Sequence, residues 1–434
     1  MPVHLCINVC SSLRSCPHPG KGVQHSRRRP DVRPTYGTAN KIGKETSLHR
    51  LQRHISNAKR ASSCGCLHRR RESTLITCKD KPLTYQRELV VACEAVQLAA
   101  RLCREVQQEL TDVERHKKAD DSPVTVADYA AQAVISATLA AAFPMDALVA
   151  EEDSKELKEE ESNTLRQRVV DLVNSTLDED AGKLQGPLTE AQVLEAIDRG
   201  GSQGGCHGRH WVLDPIDGTK GFMQGRQYAI ALALIDEGKV VLGVLGCPNL
   251  PKSPVRQTIG KMDYSGDEFG VMFAAQLGGG TVEMPMWGNV SKGDAASRPA
   301  HVRTVDDAAE CYYMESYGDS VVAAHGFTAQ VAARLGMVNA AVQCDSQAKY
   351  GAIARGDADV YLRFPPSSYR EKIWDHAPAA IVITEAGGMI TDASGKPLDF
   401  SEGRFLNMDR GIIACAPTLH ERLLNAIKAA LEDG

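Results

Sequence analysis

The sequence lacks several features that would place it quickly in a protein class. No apolar run among its 434 residues approaches the roughly 20 residues needed to cross a bilayer. Thirteen cysteines are present, but the seven after position 90 stand singly, without a Cys-x-x-Cys pair. That scatter argues against a zinc site or a disulfide framework and favours a reducing compartment. A Walker A loop and the Gly triplet of dinucleotide-binding folds are also missing.

Acidic residues are scarce at the start of the chain. Up to position 71 there are 15 Lys and Arg against two acids, together with many Ser and His and no hydrophobic periodicity. This composition is typical of an organelle transit peptide. We therefore expect residues 1–78 to be a disordered, cleavable address for a chloroplast or mitochondrion. The alternative is a basic arm that binds nucleic acid or anionic surfaces.

Regular apolar spacing begins after this leader and predicts an amphipathic helix over 85–110. A second helix is expected to start at Asp128, which would act as its N-terminal cap, and to stop before Pro144. The apolar run that follows predicts a short strand ending at Glu151. The charged stretch 155–199 predicts helices with solvated faces.

The stretch "HWVLDPIDGTKGF" at 210–222 carries the clearest chemical signal. Its spacing predicts a strand that ends at Asp214, a turn at Pro215, and Asp217 in that turn before a helix start. Two carboxylates held this close repel each other unless a cation or a proton lies between them. Ligand sets made only of oxygen suit hard cations such as Mg²⁺.

The rest of the chain predicts a layered protein with two domains. Apolar runs at 228–250 predict two strands joined by a tight turn, whereas 251–300 is rich in Gly, Pro, Ser and Met with weak periodicity. Beyond it, strand-like and helix-like segments alternate to the end, which favours an α/β arrangement. We therefore predict an N-terminal α+β metal-binding domain at 79–298 and a C-terminal α/β substrate-binding domain at 299–434.

Five carboxylates fall at the ends of predicted elements. Taken singly, each has an ordinary explanation as a cap or turn residue. Side chains at element ends can also converge on one cleft, so together they predict a site. The set is Asp128, Glu151, Asp214, Asp217 and Asp375. An EF-hand is excluded because neither aspartate of the central motif has a glutamate at the twelfth position.

Four segments together resemble a known family. "DSPVTVADYAAQ", "LVAEEDS", "WVLDPIDGTKGF" and "KIWDHAPAAIVITEAGG" are similar to the successive signatures of the inositol-monophosphatase-like, lithium-sensitive, Mg²⁺-dependent phosphatases. Within that superfamily, "DSQAKYGAIARGDADVYLRF" resembles the 3'(2'),5'-bisphosphate nucleotidases. The resemblance runs from about position 85 to the C-terminus and implies a layered αβαβα sandwich, with two sub-domains and the active site between them.

The resemblance implies a metal-activated water as the attacking group, with up to three Mg²⁺ ions. The implied metal ligands are Glu151, Asp214, the Ile216 carbonyl, Asp217 and Asp375. The implied catalytic residues are Asp128 and Thr219, and the implied substrate contacts are Gly218, Thr219, His325, Ser346, Lys349, Arg363 and Asp375.

The implied activity is that of a hydrolase in nucleotide metabolism and sulfur assimilation. It removes the 3'-phosphate of adenosine 3',5'-bisphosphate and of its sulfated analogue. The expected partner is this small molecule alone, with no nucleic-acid polymer and no membrane, and the expected state is a monomer. Two alternatives stay open: an inositol mono- or polyphosphate phosphatase with the same metal site, and a non-catalytic nucleotide sensor.

Overall fold

A computed structural model of the chain describes residues 84–109, 126–178, 186–258, 260, 266–287, 297–318 and 324–433. All of them belong to one compact unit. The predicted address segment, 1–78, lies outside the described residues. No helix in the described ranges combines the length and the apolar character that a membrane span requires.

Within the described part of the chain, seven strands form the first sheet in chain order, and the first pair alone is parallel. They are β1 (Ala147–Ala150), β2 (Arg209–Asp217), β3 (Ala229–Asp236), β4 (Lys239–Pro251), β5 (Phe269–Gln276), β6 (Gly280–Pro285) and β7 (Arg298–Ala300). The two strands expected within 228–250 are confirmed. The last three strands are not predicted from the sequence, because β5 is buried on both faces and therefore lacks polar alternation.

Five strands form the second sheet, and its order is β11-β12-β10-β8-β9. They are β8 (Tyr313–Glu315), β9 (Val342–Gln343), β10 (Val360–Arg363), β11 (Met389–Asp392) and β12 (Ile412–Cys415). Strands β10, β8 and β9 run parallel, whereas β11 and β12 pair antiparallel with their neighbours. The carboxyl ends of the three parallel strands therefore meet at one edge.

The helices of the described residues connect these strands. They are α1 (Gln86–Glu109), α2 (Val126–Ala142), α3 (Asn163–Asp178), α4 (Glu190–Asp198), α5 (Thr219–Met223), α6 (His325–Leu335), α7 (Ala348–Ala354), α8 (Ala377–Glu385) and α9 (Pro417–Glu432). The helix expected over 85–110 is confirmed, and α2 ends before Pro144 as predicted. Asp128 lies inside the first turn of α2, so the prediction that it caps this helix is wrong.

Three hydrophobic cores separate the layers. Strand β3 sends Ile230 and Leu232 into a core shared with α1 and α2, while its alternate residues enter a core shared with α7 and α8. Strand β10 directs Tyr361 into that second core and Leu362 into a third, which α6 and α9 cover. The order of layers is helix, sheet, helix, sheet, helix, so the predicted αβαβα sandwich is confirmed. The boundary at residue 298 remains a proposal.

Candidate active site

Parallel pairing places two acids at the same edge of the first sheet. Strands β1 and β2 are in register with Ala150 opposite Leu213, so Glu151 and Asp214 follow at equivalent positions. The charge of Glu151 contributes to the raised pKa of Asp214, which is the expected response of two acids held close together.

A bulge in β2 brings the second aspartate of the motif to the same face. Asp214 pairs with Ala231 and Asp217 pairs with Ala229, so three steps along β2 match two along β3. The extra residue lies at Pro215 or Ile216, where the missing proline N–H is tolerated. The prediction that the strand ends at Asp214 is therefore wrong, because pairing resumes at Asp217.

The chain turns sharply after Asp217. Gly218 has a φ of 84°, in the left-handed region that favours glycine, and a Cβ there would lie 2.9 Å from the Cβ of Ser346. The one-turn helix α5 follows, and the hydroxyl of Thr219 donates to the Ile216 carbonyl at 3.1 Å. The turn therefore packs directly against the second half of the protein.

That second half contacts Asp217 through the segment after β9. The backbone N–H of Gln347 donates to the Asp217 carboxylate at 2.5 Å, and its side-chain amide donates to the Trp374 carbonyl at 2.9 Å. Burial raises the pKa of Asp217, while the nearby charge of Lys349 opposes that rise. Lys349 itself is buried and donates to the Cys344 carbonyl at 2.9 Å.

Asp375 completes the acidic set at the end of a short 3-10 helix, Ile373–Asp375. Burial raises its pKa, the charge of Arg363 opposes this, and Asp217 and Glu151 raise it further. Burial also raises the pKa of Asp214, and all four other acids of the set add to the rise. These mutual effects indicate that the five predicted carboxylates lie close together, in one cluster around Asp214.

Solvent access is graded across this cluster. Asp128 and Asp214 are each 2 % exposed, Asp217 and Asp375 are half-buried, and the side chain of Glu151 is exposed. Although Glu151 keeps contact with solvent, the protein packed around it removes part of its hydration, and this loss, followed by the charge of Glu152, raises its pKa to about 7. The acids of the cluster thus range from fully buried to exposed.

Sequence reasoning missed a further acid beside Asp128. Burial, and then the charge of Asp128, raises the pKa of Glu152 to about 8. The side chain of Gln132 holds the backbone of Glu152 from both sides, accepting from its N–H at 3.0 Å and donating to its carbonyl at 2.7 Å. The doubled glutamate at 151–152 is the signal that could have found it.

A second missed feature is a buried hydrogen-bonded network behind Asp375. Arg363 donates to both carboxylate oxygens of Glu371, at 2.7 and 2.9 Å. His376 bridges Glu371 and the hydroxyl of Tyr350, at 2.9 and 3.0 Å. Burial raises the pKa of Glu371, but His376 and Arg363 outweigh it and bring that pKa to about 2. The charge of Arg363 is therefore shared between this network and Asp375.

His325 is the predicted site residue least connected to the acids. It lies at the start of α6, with its ring nitrogen 2.6 Å from the carboxylate of Glu315, which also accepts from Thr328 at 2.9 Å. Within the described ranges, no contact joins His325 to the acidic cluster.

The chemistry of the acidic set fits a divalent cation. The donors are all oxygens, the charged groups that act on Asp214 are all acids, and its buried Oδ1 accepts no hydrogen bond from the described residues. Among those residues, the one tight triad of potential ligands is Glu371, Asp375 and His376, within 4.8 Å of one another. Since Glu371 and His376 are already paired with each other and with Arg363 or Tyr350, the carboxylates grouped around Asp214 suit a cation better.

Comparison with known proteins identifies the class. A sequence model described as "Inositol monophosphatase family" matches residues 85–432. The chain belongs to this family, whose members are phosphatases that generally depend on Mg²⁺.

Three relatives narrow the comparison. A 3'(2'),5'-bisphosphate nucleotidase of Oryza sativa is 47% identical over 80% of this chain and 96% of its own length. The 3',5'-bisphosphate nucleotidase 2 of Arabidopsis thaliana is 44% identical over 81% of this chain and 99% of its own length. A 3'(2'),5'-bisphosphate nucleotidase of Emericella nidulans is 41% identical over 81% of this chain and all of its own length.

Proposed function

We propose that the chain is a Mg²⁺-dependent 3'(2'),5'-bisphosphate nucleotidase. It would hydrolyse the 3'-phosphate of adenosine 3',5'-bisphosphate to give AMP and phosphate, and would act likewise on the sulfated analogue. The observation that carries the proposal is the pairing of five clustered acids with two cations, Lys349 and Arg363, that both act on Asp217. The carboxylates can bind the metal ions that contact the reacting phosphate. The Lys and Arg side chains can bind the second phosphate of a bisphosphorylated ligand.

The metal would be held by oxygen atoms of the first sheet and of the short 3-10 helix. The proposed ligands are Glu151, Asp214, the Ile216 carbonyl, Asp217 and Asp375, for up to three ions. Bound Mg²⁺ supplies charge neutralisation at the phosphate and lowers the pKa of water. We also propose that lithium inhibits the enzyme, because Li⁺ would compete with Mg²⁺ for these carboxylates.

The remaining site residues would move a proton and hold the substrate. Asp128, with the hydroxyl of Thr219, would accept a proton of the attacking water as the water oxygen bonds to phosphorus. The P–O3' bond would break, and the leaving oxygen would take up one proton to become the 3'-hydroxyl of the nucleotide. The backbone of Gly218 and Thr219 would face the reacting phosphate. The other proposed substrate contacts are His325, Ser346, Lys349, Arg363 and Asp375.

A substrate panel tests the proposal. Phosphate release by the purified chain is measured with adenosine 3',5'-bisphosphate, its sulfated analogue and inositol phosphates, each with Mg²⁺ and with excess EDTA. AMP, which lacks a 3'-phosphate, is the matched control. We expect the two nucleotides to react fastest and EDTA to abolish the reaction. Faster release from inositol phosphates would support the wider family activity, and nucleotide binding without release would support a sensor.

We also propose that the chain acts as a monomer on a small molecule and that residues 1–78 direct it to a chloroplast or mitochondrion. The basic composition of those residues supports the second point. The segment fused to a fluorescent reporter should carry it into an organelle. A reporter left in the cytosol or nucleus, with salt-sensitive nucleic-acid binding, would instead support a basic arm.

A further inference from the structure

Arg404 contacts the segment that ends in Glu151. Its guanidinium donates to the Ala150 carbonyl at 2.6 Å and to the carbonyls of Gly200 and Ser202, each at 3.0 Å. Ala150 is the last residue of β1, directly before Glu151. One planar group thus joins β1 to the chain that follows α4.

The backbone of the same residue contacts the segment that ends in Asp375. The Arg404 carbonyl accepts from the N–H of Ile373 at 3.1 Å, and residues 372 and 405 form an antiparallel bridge. The guanidinium also lies 4.7 Å from the ring centroid of Trp374. Arg404 is therefore bonded within two residues of Asp375 and within one residue of Glu151.

The two segments that Arg404 contacts are distant in the sequence. Glu151 and Asp375 are 224 positions apart (375 − 151). No strand pairing joins β1 to the 3-10 helix of Asp375 in the described residues. A guanidinium presents several donors in a fixed plane, whereas an ammonium cannot reproduce that geometry.

We propose that Arg404 is a positioning residue that sets the separation of Glu151 and Asp375 and so preorganises the site for its divalent cation. The inference rests on the proposed function only in assigning those two acids to the metal. Groups that orient metal ligands without touching the metal commonly change affinity by about 10- to 100-fold when they are replaced.

The chain offers a matched control at the opposite end of β1. Arg199 also donates to three carbonyls, those of Ser136 at 3.0 Å, Phe143 at 3.4 Å and Asp146 at 2.6 Å, and it touches no residue of the acidic cluster among those described. Arg404→Lys and Arg199→Lys therefore remove equivalent hydrogen bonds. A purely structural role for Arg404 predicts the same result for both.

The test is calorimetric titration of the EDTA-stripped, dialysed full chain with Mg²⁺, together with thermal melting. We expect both variants to melt at lower temperature, and only Arg404→Lys to weaken Mg²⁺ binding, by about tenfold or more. Equal Mg²⁺ affinity in the two variants would overturn the proposal. Because no substrate is used, a wrong substrate assignment would leave this result unchanged.

A measurement on the unmodified chain covers the case in which Arg404→Lys fails to fold. Hydrogen exchange is followed with and without Mg²⁺ in peptides spanning 148–152, 371–376 and 404–406. If Arg404 couples the two segments, Mg²⁺ should slow exchange in all three peptides together. Protection of the first two without the third would overturn the proposal, and the peptide containing Arg199 is the internal control.

Discussion

The buried acids beside the first sheet and those beside the second sheet have opposite electrostatic surroundings. Asp214, on the first sheet, is surrounded by other acids, and its pKa lies well above the ordinary value because of burial and their charge. Glu371, beside the second sheet, is buried too, but Arg363 and His376 hold its pKa at about 2. Where the fold supplies its own cations, a buried acid is structural. Where acids face acids, the balancing charge has to come from solution.

The largest effect is expected from a substitution in the acidic cluster of the first sheet, where, among the described residues, the negative charges have no cation of the protein beside Asp214. Asp214→Asn should lower kcat/KM about 1000-fold, since a catalytic metal contributes several kcal/mol and each ~1.4 kcal/mol is a factor of ten. Because the change removes a like charge, the thermal midpoint in EDTA should not fall. Phosphate release and melting are measured together. A lower midpoint in EDTA would show that Asp214 has a structural role instead.

The next largest effect is expected from a substitution of Glu371, whose charge is neutralised by Arg363. Glu371→Gln keeps the shape but leaves the buried charge of Arg363 facing a neutral amide, which should cost about 3 kcal/mol of unfolding free energy. Urea unfolding measures it. Glu109→Gln is the control, because Glu109 pairs with Arg168 on the surface at 3.3 Å, where exposed pairs contribute ~1 kcal/mol or less. Equal costs would mean that the Arg363 pair is not buried from water.

A third change separates proton transfer from charge balance. Asp128→Asn keeps the side-chain size and removes the basic oxygen, so turnover should fall about 100-fold while nucleotide binding persists. Kinetics and calorimetric titration with the nucleotide give the two values. Asp153→Asn, at an exposed acid paired with Lys155, is the control. Parallel loss of binding and turnover would assign Asp128 a structural role.

Much of this contrast could be predicted from the sequence, because the acids lie at the ends of strongly patterned elements. Strand β2 reads as an apolar run before Asp214, and α1 shows helical spacing throughout. The bulge could not be predicted, since proline reads as a strand breaker and only pairing with β3 shows that β2 continues. Strand β5 could not be predicted either, because all its residues are buried and its sequence therefore lacks the alternation of apolar and polar residues that indicates a strand.

The balancing groups were missed for a different reason. Glu371 and His376 lie in a polar stretch with no periodicity, and Arg404 acts on carbonyls about 200 or more positions away. Backbone carbonyls have no side-chain signature, so nothing in the sequence marks them as partners of an arginine. The acids of a site are therefore easier to predict than the contacts that hold them.

The smallest expected effect is a pH dependence that differs between the two sides. In the folded protein the pKa of Glu151 is about 7 and that of Glu152 about 8, both raised from 4.5 first by burial and then by acidic neighbours. The folded state therefore binds these protons more tightly than the unfolded state, and their stabilisation, complete below pH 4.5, is lost as the pH rises through 7 to 8. For Glu371 the sign is reversed: its stabilisation is present above pH 4.5 and lost towards pH 2.

Thermal melting in EDTA between pH 5 and 8 reports the titration of Glu151 and Glu152 without that of Glu371, because Glu371 stays ionised throughout that range. The midpoint should decline with rising pH, the decline should be shallower in Glu152→Gln, and Mg²⁺ should restore the midpoint most strongly at pH 8. Solvent near Glu151 screens these charges, so the decline should be modest. Identical slopes for the wild type and Glu152→Gln would show that the acids of the first sheet are already balanced within the fold, which would remove the contrast.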